Sequence, residues 1–332
     1  MRTRLVLLIG ALVVPCVAAC ASQSATTPLQ ALQSSAPVQS VRADIRFGLT
    51  RQQIESIYAR RGNGYFHGSK HKPVLFVSDI DAGAIRLFPA NKTNPKQNGS
   101  ITTGIDLPVN AAVDLHGTLY VANNGNSTVT EYPFGKTSPS VTLSGGQLVY
   151  PNGIAVDNSG TVYVTSGANA GSCYVLVYPK GASTPSEQIN GFDLPVGLAI
   201  DKSGNLYVGD ALQDVVWKVP KGSTTPSNLG LSGLDDPVGL AIDPSNNLWV
   251  ANDESSTVLG FHLGDTSPFA TITSGLSGSY SIAFEKTGTL FVGSSLHYPG
   301  DVAGYKSGST TPFESISVGN PAGLAVYPKP KD

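Results

Sequence analysis

The chain is poor in residues that cross-link, charge or span a membrane. It has three cysteines in 332 residues, Cys16, Cys20 and Cys173. Two stand in the first twenty positions, so beyond them no pair remains to form a disulfide. A lone thiol usually behaves as a small buried hydrophobe, and Cys173 is expected in a core with no catalytic role. Charged residues make up 13% of the chain, and lysine and arginine form no basic stripe. That excludes nucleic acid as the expected partner, because phosphate backbones are held by clustered positive charge. There is no Gly-x-Ser-x-Gly elbow, no glycine loop built to cradle phosphate, and no His-Glu-x-x-His zinc-protease motif. From Val74 onward no helix of ten or more residues is legible, which excludes helical solenoids. What the chain does have is turn chemistry: 37 glycines and 23 prolines, as many short strands joined by tight turns require.

The first segment reads as an address rather than as structure. Arg2 and Arg4 precede an apolar run from Leu5 to Val14, too short for the roughly 20 residues a spanning helix needs. Val17-Ala18-Ala19-Cys20 then resembles a lipobox, which implies that residues 1–19 are a lipoprotein signal peptide. Cys20 would become the lipid-modified first residue, since two or more acyl chains hold a protein stably on a membrane. An ordinary cleaved signal with an incidental cysteine, or an uncleaved anchor, is the alternative. Either way the chain is expected outside the cytoplasm, in the periplasm or at the outer membrane if the host is Gram-negative. Residues 20–49 are rich in Ser, Thr, Ala, Gln and Pro and read as a flexible tether. Thr50-Arg51-Gln52-Gln53 resembles a capping box, and Ile54, Ile57 and Tyr58 recur at helical spacing. A short helix and lead-in are therefore expected over 50–73.

Residues 74–328 are a repeat. Apolar triplets recur at Leu75-Phe76-Val77, Leu119-Tyr120-Val121, Val162-Tyr163-Val164, Leu206-Tyr207-Val208, Leu248-Trp249-Val250 and Leu290-Phe291-Val292, in steps of 44, 43, 44, 42 and 42. Six copies at that period indicate a propeller. Each unit has a strand such as Gly197-Leu198-Ala199-Ile200, a turn opened by an acid (Asp201), a second strand, a third strand, a Gly/Pro turn and a weak outer strand. The inner two strands are apolar on successive residues, as a sheet covered on both faces demands. Asp114, Asp157 and Asp201 each stand three residues before a glycine, which is hairpin chemistry and not catalysis. The first unit opens with its second strand at Leu75, while Pro321–Val326 reads as a spare first strand. The expected fold is an all-β, six-bladed β-propeller of four-stranded blades, with that C-terminal strand completing the first blade and 329–332 a tail.

The pattern Pro-x-Gly-Leu-Ala-Ile-Asp followed by Gly-x-Leu-Tyr-Val-x-Asp/Asn resembles the NHL repeat. More distantly it is similar to the gluconolactonase and senescence-marker (regucalcin-like) propellers and to the streptogramin lyases. The lactonase resemblance implies a divalent cation such as Ca²⁺ at the channel mouth, held partly by the middle residue of Pro-Asn-Gly or Pro-Asp-Gly. Here that position holds Val109, Asn152, Val196, Val238, Tyr280 and Ala322. Only Asn152 matches, so a metal would rest on Asn152 with Asp210 recruited nearby. The second strands end at Asp79, Asn123, Ser166, Asp210, Asn252 and Ser294, with Asp81, Asn124, Asn126, Asp214 and Asp253 just beyond. These are expected to converge as a polar, mildly acidic rim over an apolar ring. The candidate ligand face is Asp79, Asn123, Asn152, Asp210, Asn252 and His297. Equally, Asp and Asn end strands and open turns by local hydrogen bonding.

Two functions stand open at this point. One is a non-catalytic, monomeric scaffold, anchored to the membrane at Cys20, that binds a protein or small polar ligand on the loop face. The other is a diverged metal-dependent lactonase, hydrolase or lyase.

Overall fold

A computed structural model of the chain describes residues 72–145, 147–167, 173–294 and 300–330. The signal segment, Cys20, the tether, the helix expected over 50–73, and His67, His71 and His297 lie outside them. Regular structure among the described residues is strand throughout, in six antiparallel sheets of four. The inner strands are Pro321–Tyr327 in blade 1, Pro108–Val113 in blade 2, Ile154–Val156 in blade 3, Pro195–Ile200 in blade 4, Pro237–Ile242 in blade 5 and Ser279–Phe284 in blade 6. Each touches the inner strands of the blades on either side, and the circuit closes.

Blade 1 takes its inner strand from the C-terminus, as the spare-strand count predicts. Val74–Asp79 pairs with Ala84–Pro89 on one side and with Pro321–Tyr327 on the other. The seam is thus covered by a hydrogen-bonded strand instead of leaving a free sheet edge. Leu324 and Val326 enter the core between blades 6 and 1, and Ala325 enters the core between blades 1 and 2.

Successive apolar residues give these strands two buried faces. All of Pro195–Ile200 and all of Leu206–Asp210 are buried, because each sheet packs against a neighbour on both sides. The result is a separate apolar core at every blade junction. Phe76 and Phe291 are fully buried in this way, and Cys173 is a buried free thiol.

The acids expected in the turns between first and second strands do hairpin work. Asp201 Oδ1 accepts from the Ser203 and Asn205 amides at 2.9 and 2.8 Å, and Asp114, Asp157 and Asp243 repeat the arrangement. Gly204 takes the positive φ of 82° that closes the turn.

The glycine of the Pro-x-Gly motif has a different cause. Around the axis the inner strands run so close that a Cβ on Gly153 would lie 2.0 Å from the Val196 carbonyl oxygen. One on Gly323 would lie 2.4 Å from Asn110 Cα. Backbone meets backbone there, and no rotamer change can relieve it.

Two outcomes follow. Gly153→Ala destabilises the protein by about 1–3 kcal/mol or more, in the range of core overpacking, measured by denaturant titration. Deleting 320–332 abolishes a single cooperative thermal transition, because blade 1 loses its inner strand and two junction cores lose residues. An unchanged transition in calorimetry would rule out the closure.

Candidate functional site

The inner strands begin, and the second strands end, at one mouth of the central channel. Five inner strands are bulged at this end: the register shifts between Pro108 and Asn110, Pro195 and Leu198, Pro237 and Gly239, Ser279 and Ser281, and Pro321 and Gly323. A bulge re-aims the side chain it carries. Val196, Val238, Tyr280 and Ala322 accordingly gather with Ala211 into one apolar cluster at the mouth, flanked by Ile80 and Leu194. Four members of the expected apolar ring meet here, while Val109 packs against the core between blades 2 and 3.

The strand-end ring of Asp79, Asn123, Ser166, Asp210, Asn252 and Ser294 is assembled, but beneath the surface: each is 0–3% exposed. Their side chains hold the loops that lead into the inner strands. Asp210 accepts from the Asp193 and Leu194 amides at 2.8 and 2.9 Å. Asn123 accepts from Asp106 N at 3.1 Å, Ser166 from Val149 N at 2.8 Å and Asn252 from Asp235 N at 3.3 Å. Ser294 accepts from Ser277 N at 3.4 Å. Asp79 accepts from Asn320 N at 3.2 Å and is ion-paired to Arg86 Nε. The geometry is that of local strand-end hydrogen bonding, and these groups face loop backbone rather than the opening.

A second set ties each blade to the next. Ser127, Asp214 and Ser256 occupy the left-handed position of their hairpins, with φ of 54°, 55° and 52°. Ser127 Oγ accepts from Tyr150 N at 3.1 Å, Asp214 Oδ1 from Asp236 N at 2.8 Å and Ser256 Oγ from Gly278 N at 2.9 Å. Each acceptor thereby anchors the loop that leads into the next blade's inner strand, directly before Pro237 and Ser279 in blades 5 and 6 and four residues before Ile154 in blade 3. Only Asp214 among these stood out in the sequence.

What the mouth does present is carboxylate. Asp236 precedes Pro237 and Asp253 follows Asn252, and Pro237 and Asn252 are register partners. The two ends of one hairpin therefore bring these acids together, with Asp253 N donating to Asp236 O at 3.0 Å. Burial, then the charges of Asp253, Glu254, Asp214 and Asp235, push the Asp236 carboxyl up to about 7. Burial and Glu254 push Asp253 up to about 6. Asp253 is 8% exposed, and its Oδ1 has no hydrogen-bond partner. Tyr280, in the floor beside them, is held above the usual phenol range by burial, Asp253 and Asp236. Asp235, Asp236 and Glu254 were not singled out from sequence. The available signal was two acidic dipeptides at opposite ends of one predicted hairpin.

A metal at Asn152 and Asp210 does not fit the donors present. Both Asp210 oxygens already accept loop amides, and Asn152 Oδ1 faces Asn124 Nδ2 at 3.4 Å. The neighbouring positions on the ring are hydrocarbon, whereas a hard divalent ion requires several oxygens. Among the described residues no three His, Cys, Asp or Glu side chains form a metal-holding group.

Residues 62–295 match the family profile described as the SMP-30/Gluconolactonase/LRE-like region. The chain belongs to that family. No curated protein is significantly similar to it. Of the solved structures, a chain in the crystal structure of the Nidogen/Laminin Complex superposes with a TM-score of 0.65 at 17% identity, over 76% of this chain and 98% of that one. A protein of unknown function from Bacteroides caccae gives 0.61 at 8% identity, over 77% and 98%. At such identities these likenesses establish the fold alone. Family membership and the six blades agree with the NHL and gluconolactonase resemblance of the repeat.

The Asp236 shift has a signed consequence. Its folded value lies above the ordinary 3.8, so the folded state holds a proton that the unfolded state releases between about pH 4 and 7. Stability therefore falls as pH rises through that window. Asp236→Asn removes this dependence: the variant melts higher than the parent at pH 8, and the gap closes towards pH 4. Parallel melting profiles across that range would contradict the shift.

Proposed function

We propose that this propeller is a non-catalytic binding module of the cell envelope, tethered through a lipidated Cys20, that takes a cationic ligand at its channel mouth. The observation that carries the reading is the charge of the mouth. The loops on that side include Asp81, Asp106, Asp235, Asp236, Asp253 and Glu254, and their sequences contain no lysine or arginine. A buried carboxylate oxygen without a partner is costly, and an ammonium or guanidinium group placed against Asp253 would relieve it. The apolar floor of Val196, Val238 and Tyr280 suits the hydrocarbon part of such a ligand, and the Tyr280 ring face suits its charge.

Family membership supports a second reading, a metal-dependent lactonase or lyase. Its obstacle is the donor set described above. The lipobox-like Val17-Ala18-Ala19-Cys20 supports the anchor, and Cys20→Ser is expected to move the protein from the membrane to the soluble fraction.

Calorimetric titration with spermidine and with a lysine-rich peptide at low salt and pH 8 tests the binding reading. Binding is expected, weakened about fivefold or more by Asp253→Asn or Glu254→Gln. It is also expected to fade as pH falls from 8 to 5, because Asp236 and Asp253 take up protons near 7 and 6. Lactone hydrolysis that requires added Ca²⁺, Zn²⁺ or Mn²⁺ and disappears in Asn152→Ala would establish the enzyme instead.

A further inference from the structure

The face opposite the acidic mouth carries lysine. Because strands alternate in direction, every turn between third and outer strands falls on that face. In five of the six blades this turn holds a lysine: Lys92, Lys136, Lys180, Lys221 and Lys306, with His262 in blade 5. All five lysines are exposed. The stem of Lys180 lies against Gly160 and that of Lys221 against Gly204, so these chains reach inward over their own blades. Lys202 and Lys286, in turns between first and second strands, add exposed ammonium groups to the same face.

The acids on this face are differently placed. Asp114, Asp201, Asp243 and Glu285 are 2–9% exposed. Each has an oxygen turned to the backbone of its own turn. Asp157 is half-buried, with Oδ1 accepting from the Ser159 and Thr161 amides of its own turn, and Glu187 and Asp265 are exposed carboxylates of this face. A flat surface approaching it meets ammonium first.

The chain also joins the propeller here. Val74 begins its strand on the lysine face, and Pro73 O accepts from Ala90 N at 3.0 Å beside it. Lys72, exposed, is the first described residue before it. The segment running back to Cys20 is therefore attached to the lysine face and not to the mouth.

We infer that the lysine face docks on an anionic lipid surface, which leaves the acidic mouth directed away from the membrane. The inference rests on the envelope reading above, and it gives that reading an orientation. Two features select a bilayer over other polyanions. The ammonium groups are spread around a disc rather than lined along a groove, and Lys72, the first described residue, stands on the same side. Each lysine within a Debye length of an anionic leaflet raises partitioning by about fivefold, so a ring of them acts together. The acidic mouth, repelled by the same leaflet, reinforces the orientation.

The test uses the full chain carrying Cys20→Ser, so that no acyl group contributes. Co-sedimentation with phosphatidylcholine vesicles containing 30% phosphatidylglycerol is expected at low salt and lost at high salt, with none on pure phosphatidylcholine. Replacing Lys136, Lys180, Lys221 and Lys306 by Gln together is expected to weaken it at least about tenfold. Glu254→Gln, on the mouth, leaves it unchanged or slightly stronger. Amine-reactive labelling of the four lysines should slow on vesicles while the melting temperature of the quadruple variant stays at the parent value. Equal binding to neutral and anionic vesicles, or binding indifferent to the four lysines, overturns the inference. So does a chain that ignores vesicles and holds a DNA duplex instead. Loss of membrane fractionation on Cys20→Ser in cells concerns the anchor alone, and its outcome is separate from the vesicle result.

Discussion

The close approach of six inner strands around one axis is the constraint on which everything else depends. The strands pass within contact distance of one another's backbones, to the point that a Cβ at Gly153 or Gly323 would fall on a neighbouring main chain. Packing that tight requires each blade to sit at a set angle to the next, and the apolar cores between blades hold the angle. Closure by Pro321–Tyr327 completes the arrangement, because an open ring would leave one junction core half solvated and one sheet edge unpaired.

That geometry also explains why the mouth differs from what its residue types suggest. Polar side chains at the ends of the second strands arrive where the loops must turn sharply into the inner strands. A buried loop amide needs an acceptor, and Asp210, Asn123 and their equivalents supply it. A metal would have to compete with those amides for the same oxygens. The acids that remain available sit one residue further out, at Asp236 and Asp253, where the hairpin ends bring them together and burial leaves one oxygen without a partner. Family membership therefore describes the scaffold, while the chemistry of this mouth departs from the cation site that the lactonase resemblance implies.

Strand alternation sorts charge as well as polarity. Turns at one end of the blades carry the lysines, and loops at the other carry the acids. A chain of net charge −2 is thus polarised through the disc, and the polarity coincides with the side from which the N-terminal segment leaves. None of this is a property of any single motif.

The sequence by itself determined the architecture. A 42- to 44-residue period, apolar triplets on successive residues and one spare strand admit few solutions other than a closed ring, because repeats that cannot cover their own faces must cover each other's. It also determined the hairpin role of Asp114, Asp157 and Asp201, since an acid three residues before glycine bonds locally whatever surrounds it. The tertiary structure alone decided which polar groups are free. Asp79, Asn123, Asp210 and Asn252 look alike as strand ends whether they face solvent or loop amides. Asp236 and Asp253 become a pair only when the register sets Pro237 opposite Asn252. Availability of a side chain depends on its partners across space, and one-dimensional spacing does not specify those.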